Sequence, residues 1–309
     1  MSRKFFLIWL LPIYCFLLKS NFCFAISGDT TLRVLVVIAH PDDESSASCT
    51  IYKITHQLHS VVDLAVITNG EAGYKYSTLA EDYYGLKLTD PEVGREYLPR
   101  IRKEELMNAG KIIGINNYFF FDQKDDKYGL NPKSPLDTFW NTSWVKQHLH
   151  DIIITARYDY IFCLLPESGT HGGHKAATIL TLQAVKELPV SQRPIILGIS
   201  GRSKGDTALM KYSDFDELQE YPITKINHSA PVFSFDRTQK FGYKDALDYR
   251  IIYNWEIAEH KSQGTMQTFM NKGDYEDFYY FDLNASGGIQ KTKMLFERLK
   301  VNPYPTKVY

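Results

Sequence analysis

The chain has 309 residues, 44% of them hydrophobic and 23% charged, a globular balance that excludes disordered, collagen-like and multi-span membrane chains. The 35 Lys and Arg against 36 Asp and Glu leave a net charge of −1, so no basic excess exists to neutralise phosphates and nucleic acid is not an expected partner. The 21 tyrosines supply flat contact area with a polar tip, which suits a carbohydrate surface and ordinary packing alike.

Residues 1–25 read as a secretory signal peptide. Arg3 and Lys4 form a positive start, Phe5 to Leu18 form an apolar run broken only by Pro12, and Ala25 closes a small-residue cleavage site. The run is shorter than the ~20 residues a spanning helix needs. The mature chain is therefore expected to begin at Ile26 and to be exported, periplasmic or secreted, with an uncleaved membrane anchor as the alternative.

Residues 32–39 are a β-branched run typical of a strand buried on both faces. The pattern then alternates: helix 44–58, strand 61–68, helix 99–113, strand 118–121, helix 142–156, strand 158–165, helix 173–188 and strand 194–199. Such alternation predicts an α/β fold, a Rossmann-like open sheet, mostly parallel, with helices on both faces. Residues 201–245 turn polar and are expected to hold about two short strands. Residues 246–270 read as one long helix, and the remainder as loop. Residues 26–309 form one expected domain, with a core of about 32–200 and a C-terminal elaboration from 201. Cys49 and Cys163 both read as small buried hydrophobes, although a bridge between them stays open.

Two strand ends concentrate chemistry. The first strand runs into Ala39-His40-Pro41-Asp42-Asp43-Glu44, and the fourth into a loop ending His171-Gly-Gly-His174. Ligands of open α/β sheets sit outside the carboxyl ends of strands. His40, Asp43 and His174 would make a two-histidine, one-carboxylate set with open positions, the pattern of a catalytic zinc; Fe(II) or Co(II) would suit the same donors. Taken singly, Asp42 or Asp43 could instead cap a helix, and the histidines could be solvated.

These residues resemble the PIG-L/LmbE-like zinc-dependent N-deacetylases. The Ala-His-Pro-Asp-Asp-Glu run is the specific match. Thr68-Asn-Gly70-Glu71, the Arg102-Lys-Glu-Glu105-Leu helix and His260-Lys-Ser262-Gln263 are similar to further family motifs. The resemblance implies zinc on His40, Asp43 and His174. It implies Asp42 as general base on a zinc-bound water, and His171 as oxyanion donor or acid. Arg102, Gly70 and Glu71 would face the substrate, an N-acetylated sugar or glycoconjugate. One departure is local: where the family commonly has Asp before the second histidine, this chain has Gly173, so the His171 imidazole lacks a local orienting carboxylate, and either a remote Asp or Glu substitutes or the protonation of His171 is tuned differently. The Tyr74–Tyr84 segment is long and aromatic enough for a substrate lid or for a self-packed surface loop. An amidase for another acylated amine, such as a thiol conjugate, and a glycan-binding protein without turnover are the alternatives.

Overall fold

The computed structural model describes residues 31–206, 218–226 and 230–304. The expected leader at 1–25 lies outside them, and residues from Thr31 onward make one compact unit. A seven-stranded sheet forms its centre. Strands β1 (Arg33–Ile38), β2 (Val61–Thr68), β3 (Tyr118–Gln123), β4 (Tyr160–Leu164) and β5 (Ile195–Arg202) pair in parallel in the order β3-β2-β1-β4-β5. Two later strands extend it: β9 (Tyr275–Tyr280) runs antiparallel to β5, and β6 (Phe233–Asp236) antiparallel to β9, while β7 (Lys240–Phe241) and β8 (Leu247–Asp248) pair apart from it. The fold is the expected mostly parallel open sheet with helices around it.

Two apolar layers flank the sheet. One gathers Leu35, Val37, Leu149 and Leu180 under α4 (Thr142–Ala156) and α5 (Gly172–Glu187). The other gathers Val34, Val36, Leu106, Ile257 and Phe296 under α3 (Pro91–Ile113), α6 (Arg250–Glu259) and α8 (Gly288–Lys300). Each β1 residue alternates between them, so the continuous apolar run follows from burial on both faces. Cys163 lies in the first layer and Cys49 in the second, both buried and free.

Several boundaries differ from the sequence reading, each for a physical reason. Residues 43–57 form no regular helix: a 3-10 turn, a five-residue helix α1 (Ser48–Tyr52) and a π turn succeed one another. Helix α3 starts at Pro91, because Asp90 caps it by accepting from the Glu92 and Val93 N–H groups and Pro91 takes the first position. Pro99 is inside that helix. The long helix expected over 246–270 ends at Glu259, and only a short turn, α7 (Gly264–Gln267), follows. Strand β9 and helix α8 stand where loop was expected. The Tyr74–Tyr84 segment takes the self-packed form: Tyr74 and Tyr84 pack on Ala80, Leu88, Leu98 and Ile101.

Strand β9 is held by charge as well as by packing. Its Glu276 is fully buried, meets Arg237 Nε at 2.9 Å, and accepts from the Cys49 and Thr50 N–H groups, both at 2.9 Å. Its neighbour Asp277 pairs with Arg202. The C-terminal region is thereby tied to the first helical turns after β1.

Candidate active site

The chain passes from β1 through β2 to β3 on one side, then places β4 against β1 on the other. The crevice outside β1 and β4 is the switch point at which such sheets bind ligands. Both sequence motifs emerge there.

The loop after β1 folds back on itself. Asp43 Oδ2 accepts from the His40 N–H at 2.8 Å and the Ala39 N–H at 3.1 Å. Asp42 and Asp43 N–H groups donate to the His40 carbonyl. Thr68, at the end of β2, donates its hydroxyl to the Ala39 carbonyl at 2.8 Å and fixes the strand end. From the other side, His171 caps α5 by accepting the Gly173 N–H on Nδ1 at 3.1 Å. His174 follows three residues on, one turn into the helix.

The predicted donors converge. His174 Nε2 lies 3.0 Å from Asp43 Oδ1 and 3.2 Å from His40 Nδ1, and His40 Nδ1 lies 3.4 Å from Asp43 Oδ2. Nitrogen and oxygen donors at about 2.0–2.1 Å from a tetrahedral ion would stand about 3.3–3.4 Å apart. The three side chains therefore fit a divalent metal. The far sides of both imidazoles also have partners, as metal-binding histidines generally do: Thr170 Oγ1 stands 2.7 Å from His174 Nδ1, and Asp125 Oδ1 stands 3.6 Å from His40 Nε2.

Asp125 was not singled out by sequence. It lies in the loop after β3, buried, with no spacing motif around it. Its position accounts for Gly173. A Cβ there would meet His171 Nδ1 at 2.9 Å and His40 Nε2 at 3.2 Å, so the two rings fill the room a side chain would take. The carboxylate comes from the loop after β3 instead, and it faces His40 rather than His171.

His171 is adjacent, with its ring 4.8 Å from that of His40. Its Nε2–H donates to the Lys127 carbonyl at 3.3 Å while Nδ1 accepts from Gly173. That pattern defines a neutral imidazole. Burial and the neighbouring histidines push its pKa down to about 4. His171 can give a hydrogen bond at neutral pH but is not a cationic acid.

Asp42 and Asp43 are electrostatically unlike. Burial opposes charge on Asp43, yet His174 and His40 outweigh it and hold the carboxyl well below the usual range. Burial dominates at Asp42 and raises it, with Arg102 opposing and Asp43 adding to the rise. Arg102 is buried beneath the loop. It reaches Asp42 Oδ2 at 2.9 Å and donates to the Pro41 carbonyl at 2.9 Å and the Gly70 carbonyl at 2.6 Å. Gly70 has φ +69°, and a Cβ there would collide with the guanidinium. Glu71 is buried beside Asp125, with Oε2 unpartnered, and burial raises its pKa. The structure thus gives Arg102 and Gly70 partners within the loop system, and Glu71 a place behind it.

Two cavities reach these residues. A wide one of about 650 Å³ is lined by Asp42, Asp43 and His174, with Tyr253, Phe269 and Lys272 farther out. A small one of about 160 Å³ is lined by His40 and His171 with Tyr128, Phe139 and Trp140. The Tyr74–Tyr84 segment lines neither.

The chain is similar to several known proteins. Residues 35–185 match the sequence profile described as PIG-L: GlcNAc-PI de-N-acetylase. Over those residues the chain is similar to the PIG-L family. A Bacillus cereus protein named "Probable N-acetyl-alpha-D-glucosaminyl L-malate deacetylase 2" is 27% identical, over 72% of this chain and 99% of its own length. Its namesake in Bacillus subtilis is 26% identical, over 72% of this chain and 90% of that protein. In three dimensions the chain resembles the 4-carboxy-2-hydroxymuconate hydratase GalB of Pseudomonas putida KT2440. There the TM-score is 0.52 at 14% identity, with 81% and 95% of the two chains covered. That likeness carries the fold alone, and a hydratase on this fold means the reaction must be argued from the site.

A metal on these donors must displace a proton. Burial opposes charge on His40, but Asp125 and Asp43 raise its pKa to about 10, so the metal-free imidazole is protonated at neutral pH. Affinity for the ion should therefore rise with pH below about 10, roughly tenfold per unit for one proton. Calorimetric titration with zinc at pH 7, in buffers of different ionisation enthalpy, should register about one proton released per ion. Buffer-independent heats would contradict the assignment of His40.

Proposed function

We propose that this protein is a metal-dependent deacetylase that removes the N-acetyl group from an acetamido sugar or glycoconjugate. The observation that carries the reading is Asp42. It is a half-buried carboxylate with a raised pKa, anchored by Arg102, on the wall of a wide cavity and next in sequence to the ligand Asp43. A structural metal site has no use for such a group, whereas amide hydrolysis needs one. The PIG-L profile and the deacetylase names of the Bacillus relatives support the same reading.

A divalent ion on His40, Asp43 and His174 would acidify a water and polarise the amide carbonyl. Zinc suits two imidazoles and a carboxylate, and Fe(II) or Co(II) would be held by the same atoms. The chain's own residues do the rest. Asp42 takes a proton from the attacking water, whose oxygen bonds to the amide carbon. It then returns that proton to the nitrogen as the C–N bond breaks, leaving acetate and a free amine. A carboxyl raised by burial is suited to both transfers. His171, neutral at pH 7, has one N–H, on Nε2, and it serves the developing oxyanion once it turns from the Lys127 carbonyl. Arg102 orients Asp42. The wide cavity, with polar and aromatic walls, takes the sugar and whatever it carries.

Incubation of the metal-loaded chain with N-acetylglucosaminides should release acetate and a primary amine in equal amounts. His171→Ala should slow this without loss of metal. Release from acylated thiol conjugates but from no acetamido sugar would favour the amidase alternative. Saturable glycan binding without any acetate would make the protein a binding module.

Export is proposed on residues 1–25, from the charged start, the short apolar run and Ala25. Among the described residues no helix is long and apolar enough to cross a membrane. N-terminal sequencing of the protein recovered outside the cytoplasm should read from Ile26. An intact Met1 in the membrane fraction would establish an anchor instead.

A further inference from the structure

Behind the loop lies a set of ionisable groups that the reaction does not use. Glu44 follows Asp43, yet its side chain turns away from the cavity into a fully buried site. There His260 Nε2 lies 2.7 Å from Glu44 Oε1 and 3.2 Å from Glu256 Oε1. All three side chains are 0% exposed. Glu256 is one turn back on α6, whereas Glu44 is 216 residues away in sequence. One imidazole thus ties the end of α6 to the loop that holds Asp42 and Asp43.

The same segment grips the loop by a second route. Ser262 meets the Glu105 carboxylate twice, through its N–H at 2.7 Å and its hydroxyl at 2.6 Å. Glu105 stands three residues after Arg102, on the same face of α3. Gln263 and Arg102 press on Gly73 together: a Cβ there would meet Gln263 Oε1 at 2.6 Å and an Arg102 nitrogen at 2.8 Å. The C-terminal motif therefore braces the Asp42 loop directly through Glu44, and indirectly through the helix that carries Arg102.

Stability alone does not account for this cluster. Three buried ionisable groups cost more than apolar residues of similar volume. Glu44 Oε2, Glu256 Oε2 and His260 Nδ1 have no partner at all. The 2.7 Å contact between His260 and Glu44 is a hydrogen-bond length, shorter than the 3.0–3.4 Å spacings among His40, Asp43 and His174, and the zinc count in the test below separates it from an ion shared by the three groups. What the arrangement does supply is direction. His260 Nε2 stands between the two carboxylates and closer to Glu44 than to Glu256. The Glu44 carboxylate is thus held by His260 through one oxygen.

We propose that His260 is a positioning residue: by gripping Glu44 it holds the adjoining Asp42 and Asp43 in register with His174. This rests on the reading of Asp42 as the proton-transfer group and Asp43 as the ligand. Partners of this kind typically govern about 10- to 100-fold in activity or metal affinity.

The test compares holoenzymes of wild type, His260→Gln and His260→Asn. The Gln amide reaches the Nε2 position and still donates to Glu44; the Asn amide falls at the Nδ1 position and leaves Glu44 without its donor. We expect His260→Asn to lose about 10- to 100-fold in kcat, with KM unchanged and zinc affinity reduced by a similar factor. His260→Gln should recover most of both, at matched thermal midpoints. Equal losses in Gln and Asn that track the fall in thermal midpoint would mean a merely structural role. Wild-type kcat and zinc affinity in His260→Asn would overturn the proposal outright. Two zinc ions per wild-type chain, falling to one in both variants, would make the cluster a metal site instead. A wild type that hydrolyses no amide would sink the proposed function, and the zinc-affinity comparison would still decide the role of His260.

Discussion

The Asp43 carboxylate is the joint on which the site depends. One oxygen is fastened to the backbone N–H groups of Ala39 and His40, and the other faces His174 at 3.0 Å. It links the loop after β1 to the helix that follows β4, across the point where the strand order reverses. Asp42 and His40 take their places from that link. The surrounding charges follow the same logic. Imidazoles make Asp43 a strong acid suited to a ligand, whereas burial keeps Asp42 a weaker acid suited to proton transfer. Two neighbouring aspartates thereby acquire different chemistry from their surroundings.

The C-terminal third serves this joint as well as the sheet. Strands β9 and β6 extend the parallel core, and their buried charges reach back to the segment after β1. Glu276 binds the Cys49 and Thr50 N–H groups, and Arg237 donates to the Ser45 carbonyl at 2.9 Å. Removing one partner from such a buried pair typically costs about 3–5 kcal/mol, because the other charge is left uncompensated. His260 and Ser262 continue the pattern on Glu44 and Glu105. The loop that carries Asp42 is thus fastened by three separate contacts from residues more than 150 positions away.

Much of this was legible in the sequence where the signal is local. Continuous β-branched runs gave β1 and β2, and the positions of His40, Asp43 and His174 at strand ends gave a convergent set. Legibility failed where stability comes from distant charge. Strand β9 reads Tyr-Glu-Asp-Phe-Tyr-Tyr, and two carboxylates in its middle disguise a buried strand until Arg237 and Arg202 are known to meet them. Helix α6 stops at Glu259 because the next residues must turn to deliver His260 and Ser262, a demand that periodicity does not record. Asp125 stands alone in a loop without spacing, and only the closeness of His40 to Gly173 explains why the carboxylate comes from there.

The division of labour between the two aspartates is the central claim, and one pair of variants tests it most directly. Metal content and acetate release are measured side by side for Asp42→Asn and Asp43→Asn. The account predicts that Asp42→Asn keeps its metal while kcat falls about 10²–10⁴-fold, and that Asp43→Asn loses metal and activity together. Loss of metal in Asp42→Asn with retention in Asp43→Asn, or an undiminished rate in Asp42→Asn, would contradict it.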